Sequence, residues 1–175
     1  FVTRTVDLFP QRTAVIYGDR RYSWLDSYTR MCCLASAIDK AGLGIGDTVS
    51  VIAANTPEMF EAHFGVPMAG CVLNTINTRV ETETIAYILE NSDCRLLIVD
   101  TAFAPTVGPA LDALSADVRA RIRVVDIRDP AMGDLPPIGD EDYESFIAAG
   151  EPDFAWQMPS DEWQALALGY TSGTS

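Results

Sequence analysis

The stretch that decides the fold runs from Thr48 to Thr75 and reads TVSVIAANTPEMFEAHFGVPMAGCVLNT. Its β-branched run from Val49 to Ala53 predicts a buried strand, and Cys71 to Thr75 predicts a second one. Between them, Thr56-Pro57 predicts a helix start, because threonine caps a helix and proline in the first turn loses no hydrogen bond. Pro67 interrupts the pattern, so we expect a kink or an early end there. Strand, helix and strand at this spacing predict a parallel pair with a right-handed crossover.

The same alternation continues toward the carboxyl end of the chain. A proline-rich, acidic segment from Asp129 to Pro159 interrupts it and predicts a long surface excursion. The predicted fold class is therefore α/β, with a parallel sheet flanked by helices. The downstream elements are predicted at Thr82–Glu90 (helix), Leu96–Asp100 (strand), around Ala110–Leu114 (helix), Arg123–Ile127 (strand) and near Tyr143–Ala148 (helix).

Toward the amino end, the pattern changes to an antiparallel one. Thr13 to Trp24 predicts a hairpin around a Gly18-Asp19 turn. Ser23 is placed to cap a helix that ends before Gly42-Leu43-Gly44. The apolar stripe of that helix has the expected spacing and consists of Leu25, Tyr28, Cys32, Ala35 and Ile38.

Composition limits the kinds of partner. A net charge of −13 argues against nucleic acid, which requires a basic face. No run of apolar residues reaches the ~18 needed to span a membrane, so we expect a soluble domain. The cysteines form neither a Cys-x-x-Cys pair nor a ligand spacing with the single histidine, which favours buried thiols in a reducing cytoplasm over a metal cluster. These cysteines are Cys32, Cys33, Cys71 and Cys94.

Two further polar features invite a catalytic interpretation and favour a structural one. His63 lies in the predicted helix among apolar neighbours, and no nucleophile can be paired with it, which favours a structural histidine. The acidic cluster Asp140-Glu141-Asp142 with Glu144 precedes a short helix. Carboxylates interact favourably with a helix amino end, so the cluster predicts a solvated helix start rather than a metal site.

The last residues of the chain predict an anion-binding loop. The apolar run from Ala165 to Tyr170 predicts a buried strand. It opens into Thr171, Ser172, Gly173, Thr174 and Ser175. Glycine allows close approach of the backbone to an anion, and the hydroxyls add donors to those of the peptide N–H groups. The pattern is not a Walker A loop, which requires Gly-x-x-x-x-Gly-Lys-Ser/Thr.

Tyr170 to Ser175 resembles the opening of Tyr-Thr-Ser-Gly-Thr-Thr-Gly-x-Pro-Lys-Gly, the loop of the AMP-forming acyl-CoA synthetases. That family also holds luciferases and peptide-synthetase adenylation domains. Ser175 stands where the pattern has its second threonine, and the chain lacks the Gly-x-Pro-Lys-Gly half. The resemblance covers roughly two thirds of the chain and looks closest to the short, medium-chain and aromatic acyl-CoA ligases. Its other segments are Arg12–Trp24, Gly46–Val49, Asn55–Glu58, Val72–Arg79 and Ile85–Leu89.

The resemblance implies that residues 1–175 form the N-terminal portion of the large adenylate-forming domain, cut inside the phosphate-binding loop. In the family, a carboxylic acid attacks the α-phosphate of ATP to give an acyl-adenylate and pyrophosphate, and the CoA thiol then displaces AMP. Thr171 to Ser175 are thereby implied to bind the ATP phosphates, with Thr171 also near the Mg²⁺ of Mg-ATP. The remaining groups, including the catalytic lysine, are implied to lie beyond residue 175. We therefore expect this chain alone to be inactive, and we expect the remainder of the enzyme, and a second copy in a homodimer, as partners.

Arg79 is the second candidate binding residue. It follows a predicted strand and the turn-like Asn77-Thr78, where ligands meet a parallel sheet. The arginine of Asn-x-Arg in the resembled family can contact the 3′-phosphate of CoA, which implies CoA binding by Arg79. The alternative is a surface ion pair with Glu81 or Glu83.

Two other functions remain open from the sequence. One is an adenylation enzyme with another acceptor, such as a carrier-protein thiol or a luciferase-type oxidation. The other is a non-catalytic α/β module that binds a nucleotide or a partner, in which residues 171–175 are a C-terminal tail.

Overall fold

The structure is a computed structural model, and it describes residues 1–171. Short 3-10 turns at Thr101–Phe103 and Pro130–Met132 accompany the main elements. The helices are α1 Val2–Leu8, α2 Trp24–Lys40, α3 Pro57–Met68, α4 Thr82–Asn91, α5 Ala104–Asp112, α6 Ala116–Arg119 and α7 Tyr143–Ala148. The strands are β1 Thr13–Tyr17, β2 Arg20–Ser23, β3 Thr48–Ile52, β4 Val72–Thr75, β5 Cys94–Asp100, β6 Arg123–Ile127, β7 Glu141–Asp142 and β8 Ala167–Leu168.

The described strands form a parallel sheet and a separate hairpin. The sheet has the order β7-β6-β5-β3-β4-β8, and each neighbouring pair in it is parallel. Strands β1 and β2 pair antiparallel around Gly18, whose φ of 56° suits glycine. The predicted α/β class, with a flanked parallel sheet and an N-terminal hairpin, is confirmed.

The core has two layers, one on each face of the sheet. Side chains of a strand alternate between faces, so Leu96 and Ile98 of β5 join one layer while Leu97 and Val99 join the other. Helices α2, α3 and α7 cover the first layer, and α4 and α5 cover the second. The chain therefore leaves β3 toward one face and leaves β5 toward the opposite face.

Helix starts follow the predicted capping residues. The Ser23 hydroxyl accepts a hydrogen bond from the Asp26 amide at 3.1 Å, and the Thr56 hydroxyl accepts one from the Met59 amide at 3.4 Å. Helix α3 continues through Pro67 and ends at Met68. Proline removes a single amide donor in this last turn, and the Ala69 amide after it still donates to the Gly65 carbonyl oxygen at 3.1 Å.

Five elements differ from the prediction, and two of them, helix α6 and strand β7, had no predicted counterpart. Helix α1 was also not anticipated, and α5 starts earlier than Ala110 and includes Pro109. The run from Ala165 to Tyr170 is not a buried strand, because only β8 pairs and Leu166 is 60% exposed. An apolar run is buried only where a second layer covers it, and among the described strands β8 lies at the edge of the sheet. Within residues 1–171, no helix is both long and apolar enough to cross a membrane.

Candidate functional site

The two sequence-predicted binding segments leave the sheet side by side. Strands β4 and β8 are parallel neighbours, with Leu73 opposite Ala167 and Asn74 opposite Leu168. The turn that carries Arg79 and the exposed Thr171 therefore follow adjacent strands at the same carboxyl edge. Ser172, Gly173, Thr174 and Ser175 lie outside the described residues. This edge is where ligands meet parallel sheets, so we take it as the candidate site.

Arg79 is exposed, and its backbone is fixed by the preceding asparagine. The Arg79 amide donates a hydrogen bond of 2.9 Å to Asn77 Oδ1, which closes a turn around Thr78. In the described part of the chain, the Arg79 guanidinium makes no ion pair within 4.0 Å. The structure therefore does not show the alternative pairing with Glu81 or Glu83. The guanidinium stays accessible to a ligand.

Tyr170 ties the exit of β8 to helix α4. Its hydroxyl donates to Asn91 Oδ1 at 2.8 Å, and its ring meets Tyr87 edge to face with centroids 6.4 Å apart. Burial raises the pKa of Tyr170, and Tyr87 adds to the effect. Strand β8 pairs with β4 at only two residue positions. The contact of Tyr170 with α4 therefore helps to fix the backbone position of the next residue, Thr171. Sequence reasoning missed it, although Tyr87 and Asn91 stand four residues apart on one helix face.

The β1–β2 hairpin covers the crevice between β3 and β5, where the connections leave the sheet toward opposite faces. In open α/β sheets, ligands usually bind where neighbouring strands send their connections to opposite faces, here between β3 and β5. Hairpin residue Arg20 donates to Glu58 Oε1 at 2.6 Å, and hairpin residue Tyr17 donates to Asp129. Glu58 follows β3 and Asp129 follows β6, so the hairpin lies over the carboxyl end of β5.

His63 lies on α3 as predicted, but its side chain is exposed rather than buried among apolar neighbours. Its Nδ1 is 2.7 Å from the Met59 carbonyl oxygen, one turn earlier. Position 63 lies on the solvent side of the helix, since α3 buries Ala62 and Val66 instead. This local contact gives His63 no catalytic partner.

The cysteines are mostly packing residues. Cys32, Cys71 and Cys94 are buried, as predicted, and Cys33 is half-buried. Burial raises the pKa of Cys71 to about 12 and that of Cys94 to about 11, although hydrogen bonds with Ser50 and Leu96 act in the opposite direction at Cys94. Such thiols carry little thiolate at neutral pH.

The acidic cluster begins helix α7, as predicted, but it is not merely solvated. The Asp142 carboxylate accepts hydrogen bonds from the Ser145 amide at 3.0 Å and the Ser145 hydroxyl at 2.8 Å, and these lower the pKa of Asp142. Glu141 pairs with Arg123, and Glu144 pairs with Arg30 at 2.6 Å. The structure thus corrects the interpretation of these two glutamates, which form ion pairs across the fold.

A resident metal centre is not supported by the described residues. Within residues 1–171, no group of three or more His, Cys, Asp or Glu side chains is placed to hold a metal ion. The donor that the candidate edge offers is the Thr171 hydroxyl, which is a weak ligand by itself.

Comparisons with known proteins agree with the fold. Residues 2–175 match the family model described as AMP-binding enzyme. The chain is 40% identical over 191 aligned residues to acetate–CoA ligase CCL3 of Humulus lupulus, and 40% identical over 183 residues to acetate/butyrate–CoA ligase AAE7, peroxisomal, of Arabidopsis thaliana. All of this chain and 32% of each relative are covered, so the chain spans about a third of their length.

A solved structure shows the same fold. The crystal structure of the anthranilate CoA ligase AuaEII in complex with anthranoyl-AMP superposes with a TM-score of 0.82 at 20% identity. The superposition covers 99% of this chain and 32% of that one. With the family model matching nearly its entire length, this chain belongs to the AMP-binding enzyme family.

Proposed function

We propose that this chain is the N-terminal part of the large domain of an ATP-dependent carboxylate–CoA ligase. The complete protein activates a carboxylic acid as an acyl-adenylate and transfers the acyl group to CoA. The observation that carries this proposal is the 40% identity, over the whole chain, to relatives named as CoA ligases. The side-by-side exit of Thr171 and Arg79 from β8 and β4 supports it independently.

The proposed chemistry depends on neutralising phosphate charge. As the carboxylate attacks the α-phosphorus of ATP, negative charge moves onto the departing pyrophosphate, and positioned donors stabilise it. In this proposal, the Thr171 hydroxyl donates to a phosphate oxygen at the start of the loop. Tyr170 contributes by holding that start against α4. When Mg-ATP is bound, its Mg²⁺ supplies further charge neutralisation, with Thr171 as the residue of this chain nearest to it in the proposal.

CoA capture is assigned to the neighbouring turn. The Arg79 guanidinium is exposed, and its backbone position is set by Asn77. A guanidinium presents several N–H donors in a plane that suits phosphate oxygens. We assign it to the 3′-phosphate of CoA.

The function is tested with the protein extended to the length of its relatives. Carboxylate-dependent exchange of pyrophosphate into ATP is measured with acetate, butyrate and anthranilate, followed by formation of the CoA thioester. Exchange and thioester formation with at least one acid support the proposal. Exchange with transfer only to a carrier-protein thiol would replace CoA as acceptor, and no exchange with any acid would favour a non-catalytic module.

Thr171→Ala in that protein is expected to slow adenylation by about 10-fold to 150-fold. A hydrogen bond to a charged group contributes roughly 1.5 to 3 kcal/mol, and the alanine removes it from the phosphate. Single-turnover formation of acyl-adenylate measures the effect. Thr171→Ser keeps the hydroxyl and should retain most of the rate; an alanine variant as fast as the parent excludes the assigned role.

Arg79→Ala is expected to raise the KM for CoA by about 10-fold or more while adenylate formation is unchanged. Charge-assisted bonds to phosphate are worth roughly 1.5 to 3 kcal/mol, at 1.4 kcal/mol per tenfold change. Steady-state thioester synthesis with varied CoA measures it. Arg95→Ala is the matched control, because Arg95 is also exposed but lies near the start of β5, at the opposite end of the sheet.

Dephospho-CoA separates the phosphate contact from a general charge effect. It lacks the 3′-phosphate, so removal of Arg79 should not weaken its binding. The parent is expected to prefer CoA over dephospho-CoA, and the Arg79→Ala variant is expected to lose that preference. A variant with the parent's preference would show that another residue holds the phosphate.

Location and assembly remain proposals. A cytoplasmic location follows from the thiol content of the chain, whereas the relative AAE7 carries peroxisomal in its name. Homodimer formation is also a proposal, which sedimentation of the extended protein tests.

A further inference from the structure

Three buried carboxyl groups line the carboxyl ends of three neighbouring strands. Glu58 follows β3, Asp100 ends β5 and Asp129 follows β6. Their exposures are 3%, 0% and 2%. Each lies at the amino end of a helical turn: Asp100 and Asp129 accept hydrogen bonds from the Ala102 and Ala131 amides, and Glu58 is in the first turn of α3. Helix amino ends favour negative charge, which explains in part how these groups coexist.

The β1–β2 hairpin supplies partners for two of the three. Arg20 donates to Glu58, and Tyr17 donates to Asp129. Asp100 lies between Glu58 and Asp129 and accepts no hydrogen bond from a hairpin side chain. Three buried side-chain atoms here have no hydrogen-bond partner, namely Arg20 Nη2, Glu58 Oε2 and Asp100 Oδ2.

The hairpin depends on these polar contacts because it buries little apolar surface. No residue of β1 or β2 is fully buried, and Ile16 is 61% exposed. Elements with few buried apolar contacts open at low free-energy cost.

The charges in the cluster do not balance if all three acids are ionised. The Arg20 guanidinium pairs with Glu58, and within the described residues no guanidinium forms an ion pair with Asp100 or Asp129. Burial raises the pKa of Asp100 and the nearby Asp129 and Glu58 carboxylates raise it further, although the Ala102 and Ala54 amides act in the opposite direction. Tyr17 is not the titrating group, because its hydrogen bond to Asp129, with burial, raises its pKa to about 12.

A bound metal ion is not a suitable way to neutralise the excess negative charge of the three carboxyl groups. The two free oxygens are fewer than the six to eight that Ca²⁺ takes, and no described group of three or more ligating side chains exists here. The unpartnered Arg20 nitrogen also carries positive charge and opposes a cation. A proton on Asp100, with or without a bridging water, removes one negative charge and supplies a donor.

We propose that Asp100 keeps its proton while the β1–β2 hairpin is docked, and that loss of this proton to solvent loosens the hairpin from the sheet. The O–H bond of the Asp100 carboxyl breaks, and its charge is then added to those of Glu58 and Asp129. The docking of the β1–β2 hairpin over the carboxyl end of β5 would thereby depend on pH. This inference is independent of the proposed ligase function.

The direction of the pH dependence follows from proton binding. Below the ordinary aspartate pKa of about 3.9, Asp100 is protonated whether the hairpin is docked or open. Between that value and its raised pKa, the docked state holds one more proton, so docking weakens tenfold per pH unit. Above the raised pKa, both states are ionised and the dependence levels off.

Hydrogen exchange of the backbone amides in β1 and β2 tests the proposal, from about pH 4 to pH 9, with rates corrected for the intrinsic pH dependence of exchange. Hairpin protection is expected to fall about tenfold per pH unit and then to level off. In the Asp100→Asn variant, the hairpin amides should remain protected, and their protection should not change with pH. The asparagine amide is neutral and keeps the oxygen that accepts from the Ala102 amide.

Asp126→Asn is the matched control. Asp126 is 1% exposed on β6, but its two oxygens already accept hydrogen bonds from the Ile138 and Gly139 amides. This variant should retain the pH dependence of the parent hairpin. The proposal is overturned if hairpin protection in the parent does not change with pH, or if it changes with the same slope in the Asp100→Asn variant. If Asp100→Asn fails to fold, carboxyl-carbon NMR titration of Asp100 in the parent decides, and an ordinary aspartate midpoint overturns it.

Discussion

Arg30→Met is expected to lower the free energy of unfolding by about 3 to 5 kcal/mol at neutral pH. Arg30 joins α2 to α3 through Glu61, with Nε–Oε1 and Nη2–Oε2 distances of 2.6 and 3.2 Å. Glu61 is 2% exposed and also accepts a hydrogen bond from the buried Tyr143 hydroxyl at 2.8 Å. Removing the guanidinium leaves the Glu61 carboxylate in the core without a counter-charge. The free-energy cost of this unpaired charge is larger than the net stabilisation from the Arg30–Glu61 pair.

Urea unfolding followed by tryptophan fluorescence measures the loss, with Lys40→Met as the matched control. Lys40 lies on the same helix and pairs with Glu151 at the same 2.6 Å, but both side chains are about half exposed or more. Solvent screens an ion pair between exposed side chains, so the control should lose little stability. Similar losses in the two variants would show that burial of Glu61 is not the cause.

A second substitution identifies the origin of the loss. Glu61→Gln added to Arg30→Met removes the stranded charge and keeps an oxygen for the Tyr143 hydroxyl. The double variant is expected to recover part of the stability. If it is less stable than Arg30→Met, the cost arises from lost packing of the Arg30 stem instead.

Residues 1–175 alone are expected to form no measurable acyl-adenylate, whereas the protein at the length of its relatives is expected to form it. Under the proposed function, the chain contributes the Thr171 loop and Arg79, while the other charge-stabilising groups lie beyond residue 175. Loss of even one preorganised donor costs roughly 100-fold to 1,000-fold in rate, so loss of several abolishes turnover.

Carboxylate-dependent pyrophosphate exchange is measured for both proteins at equal concentration. Circular dichroism of the shorter one establishes that it is folded, so that inactivity has a chemical cause. Exchange by residues 1–175 alone would place a complete adenylation centre within them and would require a new assignment of the catalytic groups.

Local sequence patterns predicted the elements that depend on local interactions. Strand β6 and helix α7 were predicted at their observed bounds, and β3 and α4 within one residue. Ser23 and Thr56 cap helices as expected, because their partners lie three residues away. The expectation of a buried strand near β8 was wrong, since composition does not report whether a strand lies at the sheet edge.

The candidate site was only partly predictable for the same reason. Thr171 and Arg79 were identified from motifs, and their common edge follows from the pairing of β4 with β8. The contact between Tyr170 and Asn91 spans 79 residues, and the contact between Tyr17 and Asp129 spans 112. No periodicity within a strand or helix encodes contacts over such separations.

The sequence by itself determined the α/β alternation, the hairpin, the helix caps and the motifs that the chain shares with its family. These features depend on backbone preferences and side-chain spacing within one element. Only the tertiary structure decided that β5 lies between β3 and β6, and this strand order brings Asp100 beside Glu58 and Asp129 under the hairpin. Burial and electrostatic coupling depend on distances in space, so the charge state of Asp100 becomes a question only once the sheet is assembled.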